Sequence, residues 1–183
     1  MAHKSIAVVS GGNRGIGLEI CRGLAREGVE VVLCSRDLRA GRQAAEQLGC
    51  DGGVLHARQL DVNDQASVDA LADWLEQQFG RLDILVNNAA ILIDRVPRAL
   101  ELEIDTLGPM FQTNLGGPLR LAKALVPLLR RGRRARIVNL SSALGQVGFP
   151  GSDRPAYRLS KLALNGLTRM LAEELETPLE SVD

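Results

Sequence analysis

Short runs rich in β-branched residues alternate with helical patterns along this chain, and that alternation restricts the fold more than any other feature. Five short runs are predicted to be strands, and the first two are the ones rich in β-branched residues: Ser5–Ser10, Val29–Cys34, Val54–Leu60, Leu82–Asn87 and Arg136–Leu140. Strands that alternate with helices form a parallel sheet with helices on both faces. The sequence therefore predicts an α/β fold, and its length of 183 residues suits one domain over residues 1–183.

Apolar residues recur at helical spacing between these runs. The first predicted helix comes after the glycines that end the first strand. The predicted helices cover Leu18–Gly28, Leu38–Leu48, Asp64–Phe79, Leu100–Leu129 and Pro155–Glu176. The region from about Leu100 to Leu129 is predicted to be a long helical tract.

Charge and cysteine usage exclude several classes of protein. Lys and Arg number 22, as do Asp and Glu, so the net charge predicts neither a nucleic-acid nor a membrane partner. The cysteines Cys21, Cys34 and Cys50 have no CxxC spacing, which predicts packing residues in a reducing compartment and no metal site. No signal-peptide pattern precedes the first strand, so a soluble cytoplasmic protein acting on a small molecule is expected.

The arginine-rich segment Arg130–Arg136 has two interpretations. It could be a nucleic-acid patch. Its predicted position at a helix C-terminus, without interleaved aromatic residues, favours a solvated helix end.

The loop after the first strand reads Ser10-Gly-Gly-Asn-Arg-Gly-Ile-Gly17. Glycines at this position let the backbone approach a pyrophosphate, and the N-terminus of the following helix offers N–H groups to the anion. The spacing is GxxxGxG rather than GxGxxG, and Leu18 and Glu19 exclude a Walker loop. A dinucleotide-binding loop is therefore preferred over a merely structural glycine turn.

The end of the second predicted strand indicates which dinucleotide would bind. An NAD site expects an acidic residue there for the ribose 2′-hydroxyl, but this chain has Ser35 followed by Arg36. Arg36 and Arg14 could bind a 2′-phosphate, which favours NADP(H) over NAD(H). Asp37 is either the acidic determinant or the N-cap of the next helix, and its position favours the cap.

The single tyrosine, Tyr157, precedes Lys161 by four residues in a predicted helix. Residues at this spacing share a helix face, so the ammonium would favour the phenolate and suit the pair to proton transfer. Ser141 and Ser142 follow a predicted strand, at the sheet edge where ligands of such folds bind. The alternatives are surface residues on a helix for the pair and ordinary turn chemistry for the serines.

Together these residues resemble the short-chain dehydrogenase/reductase family, and most closely its NADP(H)-dependent carbonyl reductase-like branch. The matching motifs are the loop Ser10–Gly17, the strand end Leu60–Val62, the segment Asn87–Ala90, Asn114, Ser142, and the pair Tyr157 and Lys161. The resemblance runs from Ser5 to Glu176 and implies a doubly wound Rossmann-type sheet with strand order 3-2-1-4-5.

The resemblance also implies a reaction. Tyr157 would exchange a proton with a carbonyl or alcohol oxygen as hydride moves to or from NADP(H), and Ser142 would hydrogen-bond that oxygen. Lys161 would favour the phenolate and contact the nicotinamide ribose, and Asn114 would hold a proton-relay water. The implied cofactor-binding residues are Gly11, Asn13, Arg14, Gly15, Ile16, Gly17, Ser35, Arg36, Asp61, Val62, Asn88, Ala89, Tyr157 and Lys161.

Three departures from the family pattern stand out. Ser10 replaces a threonine and Ala90 a glycine, and both changes are conservative. Family members also continue into two more strands, for which Pro178–Asp183 is too short, so Arg136–Leu140 is expected to form a bare hydrophobic edge. The alternative function is thus a truncated family member that binds nucleotide or a partner protein without turnover. A homo-oligomer would form through the long helices or this edge.

Overall fold

A computed structural model of the chain describes residues 4–49, 54–95 and 98–176. Five strands form one sheet: β1 (Ile6–Ser10), β2 (Glu30–Ser35), β3 (Leu55–Gln59), β4 (Ile84–Asn87) and β5 (Arg136–Asn139). The strand order is β3-β2-β1-β4-β5 and every pairing between them is parallel. The predicted fold class and strand order are confirmed. Cys50 and Pro178–Asp183 lie outside the described residues.

Six α-helices connect and follow the strands: α1 (Gly15–Arg26), α2 (Leu38–Gly49), α3 (Gln65–Phe79), α4 (Leu107–Phe111), α5 (Gly117–Arg130) and α6 (Pro155–Glu176). Three short 3₁₀ helices cover Ala99–Glu101, Ile104–Thr106 and Ala143–Gly145, and a π-helix covers Gln112–Gly116. Among the described residues, no helix has the length and apolar character that crossing a bilayer would require.

The predicted helical tract Leu100–Leu129 is largely helical, but it is divided into several segments and interrupted near its start. Leu102 and Glu103 have extended backbone, with ψ of 123° and 121°, so the first 3₁₀ turn ends before the next begins. The rest of the tract runs through α4, the π-helix and α5, with Pro118 in the first turn of α5. Apolar spacing alone does not show where one helical segment ends, whereas proline favours a helix start.

The chain divides into two compact units. Unit 1 contains Met1–Ala90 and Gly116–Leu140, and unit 2 contains Ile91–Leu115 and Ser141–Asp183. Unit 1 therefore holds the whole sheet. The single-domain organisation over residues 1–183 stays a prediction.

The core of unit 1 lies on both faces of the sheet because parallel strands between two helical layers are buried on both sides. Val8 and Cys34 belong to a cluster with residues of α3 and α5. Val9 and Cys21 belong to a second cluster with residues of α2. Both cysteines are free and buried, as predicted for packing residues, and burial raises the pKa of Cys21 to about 12.

Asp83 connects three separate parts of unit 1. Its carboxylate is buried and accepts hydrogen bonds from the backbone N–H of Ile6 at 2.8 Å and of Arg133 at 2.6 Å. The Arg81 guanidinium lies 3.6 Å away. This one side chain thus fixes the start of β1 and the turn that leads into β5.

The arginine-rich segment ends α5, as predicted. Arg130 is the last residue of the helix, and Arg131 donates from Nε to the carbonyl of Gly80 at 2.7 Å and pairs with Glu76. Arg133 and Arg134 are exposed. Arg131 therefore binds the segment to the end of α3, while Arg133 and Arg134 are exposed to solvent.

Strand β5 is an edge strand among the described strands. Val138 is 44% exposed and Arg136 is also exposed, while Ile137 packs against the core. The expectation of a bare hydrophobic edge stays a prediction, and the side chains of β5 in the described structure are mixed rather than uniformly hydrophobic. Asn139 on this strand accepts a hydrogen bond from the Asn87 side chain at 2.8 Å, which fastens it to β4.

Candidate functional site

The glycine loop of unit 1 has a backbone that favours glycine at several positions. Gly11 and Gly15 have φ of +64° and +56°, in the left-handed region. A Cβ on Gly17 would lie 2.3 Å from the carbonyl oxygen of Gly11. The loop is therefore a tight turn against the start of α1, as phosphate-binding glycine loops require.

Hydrogen bonds that involve Ser10 and Asn88 fix this loop to the end of β4. The Ser10 hydroxyl accepts hydrogen bonds from the N–H groups of Asn88 at 3.0 Å and Ala89 at 3.1 Å. The Asn88 side-chain amide donates to the carbonyls of Ser10 at 2.9 Å and Gly11 at 3.0 Å. The end of β4 and the glycine loop are thus bound together. Ser10 keeps the hydroxyl that this arrangement needs.

The N-terminus of α1 is open to solvent. Arg14 precedes the helix, makes no side-chain capping bond and is exposed, as are Gly15 and Ile16. A Cβ on Gly15 would meet nothing within 4 Å. Asn13 is partly exposed. An anion could therefore approach this helix end, where N–H groups and the helix dipole favour negative charge.

The end of β2 resolves the two interpretations of Asp37. Its Oδ1 accepts hydrogen bonds from the N–H of Arg39 at 2.8 Å and of Ala40 at 3.2 Å, so Asp37 caps α2. The buried Ser35 hydroxyl donates to the Asp37 carbonyl at 2.5 Å. Arg36 lies between them and is exposed. The N-cap interpretation is confirmed, and the exposed cation at this position is Arg36.

Asp61 and Val62 follow β3. The Asp61 carboxylate accepts from the N–H of Asn63 at 2.9 Å, and its own N–H donates to the Ser67 hydroxyl at 2.9 Å. Val62 is buried, and a Cβ on Gly117 would lie 2.8 Å from its Cγ2. Local hydrogen bonds and close packing therefore fix this strand end.

Unit 2 contains all four predicted catalytic residues. Asn114 lies in the π-helix and is fully buried. Its Oδ1 accepts from the N–H of Ile91 at 2.8 Å, and its Nδ2 donates to the Ile91 carbonyl at 2.9 Å and the Ser160 hydroxyl at 3.0 Å. Both amide hydrogens of Asn114 are therefore hydrogen-bonded within the protein, and this side chain connects the segment at Ile91 with α6.

Tyr157 and Lys161 lie on neighbouring turns of α6, as predicted. The Lys161 Nζ is 5.7 Å from the centroid of the Tyr157 ring. Lys161 is only 3% exposed, whereas Tyr157 is partly exposed. Burial lowers the pKa of Lys161 to about 8 because the charged ammonium loses its hydration. At neutral pH a buried cation thus lies beside the phenol.

Ser142 begins the 3₁₀ turn Ala143–Gly145. Its hydroxyl accepts from the N–H of Leu144 at 3.2 Å and caps this turn. Gly145 packs so closely on α6 that a Cβ there would lie 2.8 Å from the Lys161 Cβ. The Asn165 side chain also donates to the Gly145 carbonyl at 3.1 Å. The turn that carries Ser142 is therefore fixed against the helix that carries Lys161.

Three residues in unit 2 support the predicted set without having been predicted. Gly145 and Asn165 fix the Ser142 turn. Asp94 is buried and binds the first turn of α6. Asn165 lies four residues after Lys161, a helical spacing that could have indicated a shared face. Nothing in the local sequence of Asp94 or Gly145 shows which distant segment it contacts.

Within the described part of the chain, no cluster of metal-ligating side chains occurs.

Comparison with known proteins decides the family. The family model described as short chain dehydrogenase matches residues 5–178. The chain belongs to the short-chain dehydrogenase family. Among curated members, "Short-chain dehydrogenase/reductase 1" of Saponaria officinalis is 37% identical over an alignment 237 residues long, which covers 95% of this chain and 78% of that protein. The (+)-neomenthol dehydrogenase of Arabidopsis thaliana is 41% identical over 77% of this chain and 54% of its own length.

A solved structure of the family has the same fold. A metagenomic short-chain oxidoreductase in complex with NADP superposes with a TM-score of 0.82 at 34% identity, covering 94% of this chain and 76% of that one. The chain thus spans between about half and three quarters of the lengths of these three relatives.

Proposed function

We propose that this protein is an NADPH-dependent oxidoreductase that transfers hydride between the cofactor and a carbonyl or alcohol substrate. The observation that carries the proposal is the buried Lys161 ammonium, 5.7 Å from the ring of the only tyrosine in the chain. Burying a charged lysine costs free energy, so a functional reason for placing it beside a phenol is favoured.

The glycine loop fits a dinucleotide. Its turn excludes side chains at Gly17, and the N-terminus of α1 is exposed at Gly15. We propose that Gly11, Asn13, Gly15, Ile16 and Gly17 line the pyrophosphate. Asp61, Val62, Asn88 and Ala89 are proposed to complete the nucleotide site of unit 1.

The charges near the end of β2 support a preference for NADP(H). The Asp37 carboxylate is engaged as a helix cap, whereas Arg36 and Arg14 are exposed. We propose that these two guanidinium groups bind the 2′-phosphate and that Ser35 supports the turn that presents Arg36. The related metagenomic structure is described as a complex with NADP.

The bound cofactor would supply the hydride. In the direction of reduction, the Tyr157 hydroxyl gives its proton to the carbonyl oxygen as hydride reaches the carbon, so the product is a neutral alcohol. Ser142 donates a hydrogen bond to the same oxygen as negative charge develops on it. Lys161, protonated below its pKa of about 8, stabilises the phenolate that remains. Asn114 holds the elements around Tyr157 through its three hydrogen bonds.

The substrate class is proposed from the same chemistry and from a relative. The Arabidopsis relative is named as a neomenthol dehydrogenase, which favours a secondary alcohol and its ketone as test substrates. A cytoplasmic location suits the free thiols of Cys21 and Cys34. Association into a homo-oligomer through the long helices or the β5 edge is a further proposal, which sedimentation velocity would test.

The test is oxidation of NADPH by the purified protein with a panel of aldehydes, ketones and quinones. Tyr157→Phe removes the proton donor and is expected to lower kcat by about 10²- to 10⁴-fold. Ser142→Ala is expected to lower kcat, whereas Ser141→Ala, at the exposed neighbouring position, provides the matched control and stays near wild type.

Two outcomes would contradict the proposal. Turnover equal in wild type and Tyr157→Phe would remove the role of the phenol. NADPH binding in a calorimeter without any turnover would instead favour a family member that binds nucleotide only.

A further inference from the structure

The first turn of α6 has an unusual start. The residue before it, Arg154, has φ of +52°, and an arginine side chain has no acceptor for capping a helix. Pro155, the first helical residue, has no N–H, and the N–H of Arg158 bonds to the Arg154 carbonyl at 2.9 Å. Two N–H groups in the first turn therefore need acceptors, those of Ala156 and Tyr157.

Asp94 supplies both acceptor contacts from a distant part of the chain. Its Oδ2 accepts from the N–H of Ala156 at 2.7 Å and of Tyr157 at 3.2 Å, across 62 and 63 residues of sequence. Asp94 is 4% exposed, and its other oxygen, Oδ1, has no hydrogen-bond partner within the described residues. The buried carboxylate is thus directed at the helix N-terminus, whose partial positive charge favours an anion.

A second set of bonds fixes the segment that carries Asp94. The Asn114 side chain forms hydrogen bonds with the N–H and the carbonyl of Ile91, which lies three residues before Asp94. It also donates to the Ser160 hydroxyl of α6. Ser160 in turn donates to the Tyr157 carbonyl at 2.8 Å. The N–H of Tyr157 is therefore bonded to Asp94, and its carbonyl also accepts a hydrogen bond from Ser160, so side chains contact both backbone polar groups of the tyrosine.

We propose that Asp94 is a positioning residue that sets the place of Tyr157 by capping the first turn of α6. The inference rests on the proposed function, because it assigns Asp94 a purpose in the step that Tyr157 performs. Without the carboxylate, the first turn would lose both acceptor contacts and the phenol would sample more positions. Small displacements of a reacting group are costly, so the rate should fall while nucleotide binding by unit 1 is retained.

Kinetics provide the first test. Asp94→Ala is expected to lower kcat by about 10- to 100-fold, with the Kd for NADPH within about twofold of wild type because the glycine loop is untouched. Asp94→Asn keeps an oxygen for the two N–H groups and is expected to stay within about threefold of wild type, since Asn caps helices as well as Asp. Activity retained in Asp94→Asn would show that the accepting oxygen, and not the negative charge, is what the first turn of α6 requires.

The matched control removes a cap from another helix. Asp64 caps α3 by accepting from the N–H of Ala66 at 3.0 Å, and α3 carries none of the four candidate catalytic residues. Asp64→Ala is expected to lower stability without lowering kcat. Equal losses of kcat in Asp64→Ala and Asp94→Ala would show general destabilisation and overturn the proposal, as would a loss in Asp94→Asn as large as in Asp94→Ala.

A spectroscopic readout makes the test independent of turnover. Tyr157 is the only tyrosine and Trp74 the only tryptophan, so selective ¹³C-tyrosine labelling gives one set of ring signals, and the indole N–H reports the fold. Asp94→Ala should move the Tyr157 ring signal towards its position in the urea-unfolded chain while the Trp74 signal stays. Asp94→Asn and Asp64→Ala should leave both in place.

The two proposals fail differently. If wild type turns over no substrate, the proposed function fails, but the Tyr157 ring signal still tests the role of Asp94. If Asp94→Ala leaves that signal at its wild-type position, the positioning role is wrong whatever the activity. If the Trp74 signal shows that Asp94→Ala is unfolded, Asp94→Glu makes the same comparison, because it keeps the carboxylate and displaces it by one methylene.

Discussion

Lys161→Met tests whether burial of the ammonium, rather than some other feature of α6, sets the pH dependence of stability. Burial lowers the pKa of Lys161 from 10.5 to about 8, a difference worth roughly 3 kcal/mol. Below pH 8 the lysine is protonated in the folded and the unfolded chain, so the full cost of the buried charge is present. Between pH 8 and 10.5 the folded chain releases this proton before the unfolded chain does, so stability rises with pH.

The measurement is urea unfolding followed by far-ultraviolet circular dichroism at several pH values from 7 to 10.5. The unfolding free energy of wild type minus that of Lys161→Met is expected to increase by roughly 3 kcal/mol over this range. Taking the difference removes the titration of groups that both proteins share and that do not interact with Lys161. A difference that stays constant, or that falls as pH rises, would refute the reasoning, and no substrate or cofactor is needed.

Two further substitutions test the packing around the candidate residues. Gly145→Ala places a Cβ 2.8 Å from the Lys161 Cβ and should cost about 1–3 kcal/mol of unfolding free energy, and it should also lower kcat by moving the Ser142 turn. Gly148→Ala meets nothing within 4 Å and is the control, so equal effects in urea unfolding would contradict the close approach. Asp83→Ala leaves two backbone N–H groups without their acceptor and should cost about 2–4 kcal/mol. Asp73→Ala, at an exposed position, should change chemical denaturation little.

The sheet was predictable chiefly because β1 and β2 are short β-branched runs bounded by turn residues. Strands that are buried on both faces need such runs, so the sequence of β1 or β2 is difficult to fit to another element. The glycine loop was also predictable, since the positive φ angles at Gly11 and Gly15 favour glycine at those positions. Local requirements of this kind are visible in local sequence.

The region between β4 and β5 was less predictable. Its apolar residues suit a long helix, but Leu102 and Glu103 adopt extended backbone and Asn114 lies in a π-helix. The long-range ties of unit 2 could not be predicted either. The sequence around Tyr157 and Lys161 indicated a shared helix face, but not that an aspartate 63 residues before Tyr157 would bind its N–H. Contacts of this kind depend on packing that no local pattern encodes.

The Asp94 cap also affects the order in which the chain can fold. A helix normally carries its own cap within one or two residues, so its first turn can form early and locally. Here the acceptor must arrive by closing a loop of 62 residues, which costs entropy before the two hydrogen bonds form. The turn that bears the tyrosine should therefore be among the last parts of α6 to become ordered, and its protection from hydrogen exchange would follow the assembly of unit 2 rather than the helicity of α6.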